Sequence, residues 1–336
     1  MRRGVVFGGG GLVGMGYHAG VLQALAERGL DLAQADVIVG TSAGSVIASY
    51  LACGWSLTDF YEYGSGRHPD LDKHPEDREG ALRSLFEPMW KSPPDRARRA
   101  VGSMFALASS RGLLGGNRAR VPIPALRRMF PSGLYSTERT RTRLHEDLPE
   151  KWPRDRLFIC AADLYTGRRV AFGHPTAPDA SLPDAVLAST AIPGLFPPVR
   201  IGAKQYVDGG IVSATSLDLA VDAGCETILC VAPLGFRKEE AQRVRNPRMW
   251  GPMFVRGLFA RQLRKEVHDA RRRDVSVFVI RPWVGELVSQ GTNSMRDFDR
   301  SAVMEAAREG TLRILDEYED HPAIEAARTQ PSKKTG

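Results

Sequence analysis

The segment 40–44, Gly-Thr-Ser-Ala-Gly, constrains the fold of this chain more than any other feature. It follows a short β-like segment, 36–39, and precedes a stretch of small residues, 45–53, that is typical of a helix. The pattern predicts a tight strand-to-helix turn, in which Gly40 and Gly44 are needed because a Cβ would crowd the chain. Ser42 is then expected to present its hydroxyl at the carboxyl end of a strand, where the first N–H groups of the helix point at it.

A second glycine-rich segment lies near the start of the chain. Residues 8–11 are four consecutive glycines that follow the apolar run 5–7, and Gly14 comes shortly after them. A helix is predicted over 15–28, with Gly29 at its end. Consecutive glycines leave backbone N–H groups uncovered, so this loop predicts a site for an anion, either a phosphate or an oxyanion.

The same loop also fits a dinucleotide-binding fingerprint. Gly9, Gly11 and Gly14 satisfy G-x-G-x-x-G after a first strand, and Asp31 or Asp36 follows about 20 residues further on. This alternative predicts a nucleotide-binding enzyme, but it gives the serine turn no role. The P-loop pattern is not met, because no Gly-Lys-Ser/Thr ends the loop.

A candidate base follows a predicted strand over 205–207. Asp208 is followed by Gly209 and Gly210, so its loop can approach another backbone closely. A carboxylate within hydrogen-bonding reach of a serine hydroxyl can accept its proton without an imidazole between them. An ordinary Asp-Gly turn is the other interpretation of this segment.

Taken together, these segments resemble the ordered motifs of patatin-like phospholipases. The matching blocks are the glycine loop with Gly14, then 17–22, the serine turn 40–44, then 188–193 with 196–199, and finally 208–210. The resemblance covers residues from about 4 to 235, and more loosely 254–313. It implies an α/β fold, a three-layer α/β/α sandwich with a mainly parallel central sheet, and a Ser–Asp dyad without a catalytic histidine.

The resemblance also implies roles for single residues. Ser42 would be the nucleophile and Asp208 the base of a serine acyl hydrolase that cleaves carboxylic esters of phospholipids or lysophospholipids through an acyl-enzyme. No cofactor and no metal are expected. The implied oxyanion hole comprises Gly9, Gly10, Gly11 and the N–H of Ala43, and the supporting motif positions are Gly14, Gly40, Gly44, Gly209 and Gly210.

Two features depart from the family pattern. Val13 stands where the family commonly has Arg or Lys, and the spacing from Gly14 to Gly20 is one residue longer than usual. The loop therefore lacks a cation that could anchor a phosphate head group, whereas its backbone donors remain.

A Ser–His–Asp triad is the neighbouring alternative to a dyad. Only His268 and His321 follow Asp208 in the chain, and we interpret both as solvated or structural. The earlier histidines, among them His18, show no metal-like spacing. A non-catalytic lipid-binding or regulatory protein is a further alternative, which the intact serine and aspartate motifs argue against.

The organisation of the chain predicts one catalytic domain over residues 1–320 with an insertion at 64–131. The insertion is rich in Arg, Pro and Gly, and helices are predicted in it over 81–90 and 97–108. It is interpreted either as a cap over the active site or as ordinary helical core. Residues 321–336 are expected to form a polar, flexible tail.

Apolar strand-like runs are predicted over 157–161, 227–231 and 275–280. They alternate with predicted helices, which is typical of a mainly parallel sheet covered on both faces.

The net charge of +7 is distributed unevenly. The cations are concentrated at 96–99, at 243–248, and along Arg256, Arg261, Arg264, Lys265 and 271–273. In 254–267, Phe254, Leu258, Phe259 and Leu263 alternate with cations at helical spacing. This predicts either a basic amphipathic face that contacts an anionic membrane or a core-packed helix with a solvated face. Nucleic acid is not an expected partner, since no zinc spacing or aromatic platform accompanies the charge, and no protein partner is predicted.

The cellular location is predicted from the lack of an apparent membrane-spanning run and signal peptide in the sequence. No apolar run is long enough to span a bilayer, and the first strand begins within four residues of Met1, so no signal peptide is expected. Four scattered cysteines fit reduced thiols. The expected location is cytoplasmic, with peripheral contact at the inner membrane surface.

Overall fold

The computed structural model describes residues 1–73, 87–109, 132–236, 250–283, 286, 287, 290 and 299–328, without the side chains of 103–109, 250–252, 254 and 255. Within these parts, eight strands form one sheet. The strands are β1 (Arg3–Phe7), β2 (Val37–Thr41), β3 (Leu157–Asp163), β4 (Arg169–Phe172), β5 (Val199–Ile201), β6 (Lys204–Asp208), β7 (Thr227–Val231) and β8 (Ser276–Ile280).

Helices of very different length connect these strands. The described helices are α1 (Gly11–Glu27), α2 (Ala43–Ala52), α3 (Leu57–Gly64), α4 (Pro93–Ser109), α5 (Glu138–Asp147), α6 (Leu182–Thr190), α7 (Asp218–Asp222), α8 (Trp250–Arg271), α9 (Arg300–Glu317) and α10 (Pro322–Glu325). None of them combines the length and the apolar character needed to cross a bilayer.

The central sheet is mainly parallel. Hydrogen-bonded neighbours follow the path β5-β6-β3-β2-β1-β7-β8, and β4 also pairs with β3, on the side opposite to both β2 and β6. The pairs β1–β2, β1–β7, β2–β3 and β7–β8 are parallel, whereas β3–β4, β3–β6 and β5–β6 are antiparallel. The parallel centre follows from the strand–helix alternation of the sequence, because each crossover helix returns the chain to the same edge.

Two helical layers cover the sheet, which makes the fold the α/β/α sandwich that the sequence predicted. Side chains alternate along β1, so that Val5 and Phe7 pack in one core and Val6 in the other. The first core takes apolar residues of α1, α2, α3, α5, α6, α9 and α10. The second takes those of α7 and α8. Burial on both faces explains why the central strands are continuous apolar runs.

The register of β3 decides which loops meet at the edge of the sheet. Ala161 and Ala162 each pair with β4 and with β6, so these two strands lie on opposite sides of β3. β2 also lies opposite β4, and β2 and β6 therefore share one side of β3. Thr41 pairs with Cys160, and Asp208 pairs with the next residue, Ala161. The carboxyl ends of β2 and β6 consequently face each other.

Several boundaries differ from those expected. α1 begins at Gly11 rather than residue 15, so part of the glycine-rich segment is helical. In the insertion, α4 contains the helix predicted over 97–108. Residues 87–90 are not helical, since Pro88 instead forms a bridge with Tyr135. The rest of the predicted helix 81–90, like residues 110–131, lies outside the described residues, and the cap remains a prediction.

The fold continues beyond the expected boundary at residue 320. α10 packs against the sheet through the buried side chains of Ala323 and Ile324, and Arg328 forms a bridge with Leu30. Apolar residues at helical spacing, which the polar character of this segment concealed, account for the difference. Residues 329–336 of the predicted flexible tail lie outside the described parts.

Candidate active site

The serine turn has the strained geometry of a nucleophile elbow. Ser42 has φ 54° and ψ −124°, and α2 begins at the next residue. A non-glycine residue in this region costs on the order of 1–3 kcal/mol and persists only when its surroundings fix it. A Cβ at Gly44 would lie 2.0 Å from the Phe7 carbonyl oxygen, and one at Gly40 would lie 2.7 Å from the Gly44 oxygen. Both glycines are therefore required by packing.

A buried serine from another helix fixes the Ser42 backbone. The Ser42 N–H donates to Ser189 Oγ at 2.9 Å, and Ser189 Oγ donates in turn to the Cys160 carbonyl at 2.6 Å. The Ser42 carbonyl accepts hydrogen bonds from the N–H and Oγ of Ser45 at 2.8 and 2.6 Å. Ser189 belongs to the motif segment 188–193, but the sequence indicated no role for its side chain. No signal in a single sequence shows which backbone group a serine binds.

The Asp208 carboxylate lies beside the Ser42 hydroxyl. Asp208 is 5% exposed and Ser42 is 6% exposed. Burial raises the pKa of Asp208 to about 6, opposed by hydrogen bonds from the Ser42 side chain and the Gly210 N–H. The latter bond is 2.7 Å long. A carboxylate with this pKa is ionised at neutral pH and is a stronger base than an exposed aspartate.

The glycines after Asp208 allow the close approach that places the carboxylate. A Cβ at Gly209 would lie 2.4 Å from the Cys160 carbonyl oxygen, whereas one at Gly210 would meet only Asp208 itself, at 3.0 Å. The Asp208 N–H donates to the Ala191 carbonyl at 2.9 Å. Residues from β3, α6 and β6 thus converge on this loop.

The glycine loop differs in one respect from the expected oxyanion hole. The Gly9 N–H donates to the Ala214 carbonyl at 2.8 Å, so it is not available to a substrate. A Cβ at Gly9 would lie 3.2 Å from the Ser42 Cβ, which shows that Gly9 instead provides room beside the serine. Within the described residues, the N–H groups of Gly10, Gly11 and Ala43 have no hydrogen-bond acceptor. These three remain candidate donors.

The glycine loop packs against Pro233, which Arg256 holds through a hydrogen bond. A Cβ at Gly10 would lie 2.7 Å from the Gly14 Cα and 2.8 Å from the Pro233 Cβ. The Pro233 carbonyl accepts a 2.8 Å bond from Arg256, which is only 8% exposed. Arg256, grouped by the sequence with the surface cations, is therefore an internal support of the loop. At Gly14 the nearest atom to a Cβ is 3.5 Å away, an ordinary contact.

The structure removes the geometric basis of the dinucleotide alternative. The acidic residue of that fingerprint must lie near the glycine loop, at the carboxyl edge of the sheet. Asp36 precedes β2 and accepts a bond from the Arg3 N–H at the opposite edge. Asp31 accepts locally from the Ala33 N–H.

No histidine of the described residues contacts Ser42 or Asp208. His18 Nε2 bonds to the Gly8 carbonyl at 2.8 Å, and burial lowers its pKa to about 4. His268 is exposed on α8, and His321 caps α10 by accepting from the Ala323 N–H. In the described parts, no three His, Cys, Asp or Glu side chains gather as a metal site requires.

A cavity of about 230 Å³ opens beside Ser42. It follows one face of α2, where Val46, Ile47 and Tyr50 succeed Ala43 at helical spacing. Its apolar lining residues are Leu12, Met15, Ala19, Val46, Ile47, Trp55, Phe60, Leu187, Ile192, Phe196 and Met304. An apolar cavity beside the Ser42 hydroxyl has the character that suits an acyl chain.

A polar cluster lies in this cavity around Tyr50, which comes eight residues after Ser42. Because a helix rises 1.5 Å per residue, the cluster is about 12 Å from Ser42 along α2. Tyr50 OH donates to Asp147 Oδ2 at 2.6 Å, and Arg143 Nε lies 3.5 Å from the same oxygen. Arg143 also donates to the Tyr63 hydroxyl. Burial and Asp147 both raise the pKa of Tyr50, which keeps its hydroxyl protonated. The cluster gives the apolar cavity a polar end.

The exposed face of α8 carries the cations that the sequence grouped there. Arg261, Arg264 and Lys265 are exposed, as is Leu258 with 44% of its surface, whereas Leu263 packs in the second core. The side chain of Phe254 and the cluster 243–248 lie outside the described parts. α8 is thus core-packed on one side and basic on the other.

Comparison with known proteins places this chain beside a family of lipid enzymes. Residues 5–221 match the family model described as patatin-like phospholipase. Similar solved structures include VipD from Legionella pneumophila, with 17% identity and a TM-score of 0.44 over 94% of this chain and 67% of that one.

The type III effector protein ExoU is also similar, with 19% identity and a TM-score of 0.37 over 94% of this chain and 53% of that one. The ExoU–SpcU complex of Pseudomonas aeruginosa matches with 19% identity and a TM-score of 0.36 over 94% and 51%. The chain therefore spans between about half and two thirds of these proteins.

Proposed function

This chain belongs to the patatin-like phospholipase family, and we propose that it hydrolyses carboxylic esters of lipids with Ser42 as nucleophile and Asp208 as base. The observation that carries this proposal is the buried Asp208 carboxylate, whose pKa the neighbouring Ser42 side chain lowers, beside Ser42 at an apolar cavity. Phospholipids or lysophospholipids are the proposed substrates, and no cofactor is needed.

In the proposed reaction, Asp208 removes the hydroxyl proton while Ser42 Oγ attacks the ester carbonyl. The N–H groups of Gly10, Gly11 and Ala43 bind the oxyanion, and the N-terminus of α2 adds its dipole. The tetrahedral intermediate collapses to an acyl-enzyme and releases the alcohol, which takes up the proton from Asp208. Water, deprotonated by Asp208, then attacks the acyl carbon; the Ser42 oxygen leaves, takes the proton back from Asp208, and the fatty acid is released.

The surroundings of the Asp208 carboxylate support a Ser–Asp dyad over a Ser–His–Asp triad. The Ser42 side chain interacts with Asp208 and lowers its pKa, whereas His321 caps α10 and His268 is exposed. The raised pKa of Asp208 supplies the basicity that an imidazole would otherwise provide. A non-catalytic lipid-binding role has no comparable support, because a strained serine and a buried carboxylate cost stability that mere binding does not require.

The exposed face of α8 supports a proposal about location. Arg261, Arg264 and Lys265 present positive charge next to the exposed Leu258, a combination that suits an anionic lipid surface. We propose that the protein acts in the cytoplasm, in peripheral contact with the inner membrane surface.

The test is hydrolysis of p-nitrophenyl esters and fatty-acid release from phospholipid and lysophospholipid, with Ser42→Ala and Asp208→Asn compared with wild type. Both variants should fold and lose turnover, whereas the exposed-site control Asp179→Asn should keep it. An organophosphonate should label wild type once and Ser42→Ala not at all. Full activity of either dyad variant, or loss of activity in folded His268→Ala or His321→Ala, would refute the dyad.

A further inference from the structure

The loop that follows Asp208 is tied to α8 by side chains that the proposed reaction does not use. The Glu266 carboxylate accepts hydrogen bonds from Ser213 Oγ at 2.5 Å and Thr215 Oγ1 at 2.6 Å, and the Leu217 N–H lies 3.3 Å from it. One turn earlier, Gln262 Nε2 donates to the Val212 carbonyl at 2.7 Å. Residues 212–217 are thus held by one helix face.

This loop is one hydrogen bond away from the glycine loop. Ala214 lies between the two hydroxyl donors, and its carbonyl accepts the Gly9 N–H at 2.8 Å. Gly9 in turn packs against Ser42, as the 3.2 Å between its would-be Cβ and the Ser42 Cβ shows. A short chain of contacts therefore links Glu266 to the nucleophile and to the neighbouring Gly10.

We propose that Glu266 is a positioning residue: by holding Ser213 and Thr215, it fixes the Ala214 carbonyl and so sets the glycine loop against Ser42. This inference rests on the proposed hydrolase function for its effect on rate. Glu266 touches no reacting atom and acts only through the loop. A displacement of about 1 Å at a reacting centre can lower a rate on the order of a hundredfold, so small movements of this loop matter.

The chemistry of the contact requires a carboxylate. The Glu266 carboxylate accepts from the two hydroxyls, from the Leu217 N–H and, at 3.4 Å, from Gln262 Nε2. A carboxylate accepts on both oxygens, whereas an amide offers one acceptor oxygen and two donors. Burial raises the pKa of Glu266, against the lowering by the bonds from Ser213 and Thr215. The hydrogen bonds from Ser213, Thr215 and the Leu217 N–H thus offset part of the cost of burying this carboxylate.

The first experiment compares Glu266→Gln with Asp269→Asn on a soluble p-nitrophenyl ester. Both variants remove one negative charge from α8, but Asp269 is exposed and has no side-chain bond among the described residues. We expect kcat of Glu266→Gln to fall about ten- to a hundredfold with KM unchanged, since other elements line the acyl cavity. Asp269→Asn should match wild type. An unchanged kcat in folded Glu266→Gln would overturn the inference.

A double-mutant cycle tests whether the effect passes through the loop. Ser213→Ala with Thr215→Val removes the two hydroxyl donors, and the same pair is then combined with Glu266→Gln. The combined loss of kcat should be no larger than that of the hydroxyl pair alone, because Glu266→Gln removes a contact that the pair has already lost. Ser213→Ala also removes the acceptor of the 2.8 Å bond from the Ser216 N–H, so the pair is expected to lose more than Glu266→Gln. Losses that multiply would reject this route.

Amide hydrogen exchange separates this inference from the proposed function. The Gly9 amide should exchange faster in Glu266→Gln than in wild type and Asp269→Asn, whether or not any ester is hydrolysed. If wild type hydrolysed no ester while Gly9 showed this increase, the hydrolase proposal would fail and the coupling of the loops would stand. Equal exchange at Gly9 in all three proteins would refute the coupling.

Discussion

Ser189 accepts a hydrogen bond from the Ser42 N–H at 2.9 Å and donates one to Cys160 at 2.6 Å, so a single hydroxyl joins the serine turn to β3. Ser189 and Cys160 are fully buried, which leaves no water to replace this bond. The strained φ of Ser42 is therefore held in place partly by a residue remote in sequence.

Ser189→Ala is expected to lower the free energy of unfolding by about 1–3 kcal/mol, because the Ser42 N–H and the Cys160 carbonyl would both lose a buried partner. Ester turnover should also fall, since the turn is less restrained. Urea unfolding and kcat measure the two effects. Ser49→Ala is the matched control, because Ser49 Oγ only donates to a carbonyl within its own helix, that of Ser45. Equal stability of the two variants would contradict the prediction.

Activity is expected to require ionised Asp208. Because burial raises its pKa to about 6, kcat/KM of the free enzyme should fall as pH drops through about 6 and level off above it. The profile on a soluble ester measures this directly. A limb near pH 4, the range of an exposed aspartate, would show that the carboxylate is not the base or not buried in solution.

The same pKa predicts that Asp208 costs stability. The folded pKa lies above the unfolded value of 3.8, so the native state binds more protons between about pH 4 and 6, and stability falls as pH rises through this window. The shift of about two units corresponds to up to about 3 kcal/mol. Asp208→Asn should therefore be inactive yet more stable than wild type at pH 8, with the difference vanishing near pH 4.

Asp163→Asn is the control with the opposite sign. Burial raises the pKa of Asp163, but bonds from the Thr166 and Tyr165 N–H groups, together with Lys204, lower it by more, so the net pKa lies below the usual value. Its contribution to stability is present at neutral pH and lost in acid. Asp163→Asn should thus destabilise the protein at pH 8, and thermal unfolding of both variants across pH tests the pair.

Gly44→Ala and Gly14→Ala are expected to differ sharply, although both glycines belong to the motifs. A Cβ at position 44 would lie 2.0 Å from the Phe7 oxygen, so overpacking should cost more than about 2 kcal/mol and activity should be lost. At position 14 the nearest atom is 3.5 Å away, and a helical Ala is favoured over Gly by about 1 kcal/mol. The free energy of unfolding and the ester turnover of both variants test this prediction. A Gly14→Ala protein as unstable as Gly44→Ala would contradict it.

Tyr50 is expected to limit the length of the acyl chain. Its ring lines the cavity beside the Asp147–Arg143 pair, where an alkyl chain would have to desolvate charge. Tyr50→Ala should shift the best p-nitrophenyl ester towards longer chains, whereas Tyr50→Phe keeps the ring and should keep the optimum. Profiles from butyrate to palmitate measure this, with the exposed Tyr165→Ala as control. A single profile shared by all four proteins would argue against the assignment.

Charge reversal on α8 is expected to weaken membrane contact. Arg261→Glu with Arg264→Glu should reduce sedimentation with vesicles that contain phosphatidylserine and leave the weaker binding to phosphatidylcholine vesicles unchanged. Lys151→Glu with Arg200→Glu makes the same change of charge at exposed positions outside α8. Binding that ignores anionic lipid, or that both double variants lose equally, would exclude α8 as the docking face.

The motifs were readable from sequence because their demands are local. A serine turn needs Gly40 and Gly44 where a Cβ cannot fit, and Asp208 needs Gly209 next to it for the same reason. Strands buried on both faces need continuous apolar runs, so β3, β7 and β8 could be predicted. The fold class followed from the alternation of strands with helices.

Which groups face each other could not be read in this way, because hydrogen bonds between distant segments leave no periodic signal. The sequence offered Gly9 as an oxyanion donor, yet its N–H is bonded to Ala214. It grouped Arg256 with surface cations, yet Arg256 supports Pro233 from inside. Ser189 was part of a motif but had no assigned role, and Glu266 was not singled out. The sequence alone determined the local turns and the fold class; the register of β2 and β6 on β3, which only long-range strand pairing sets, decided that Ser42 meets Asp208.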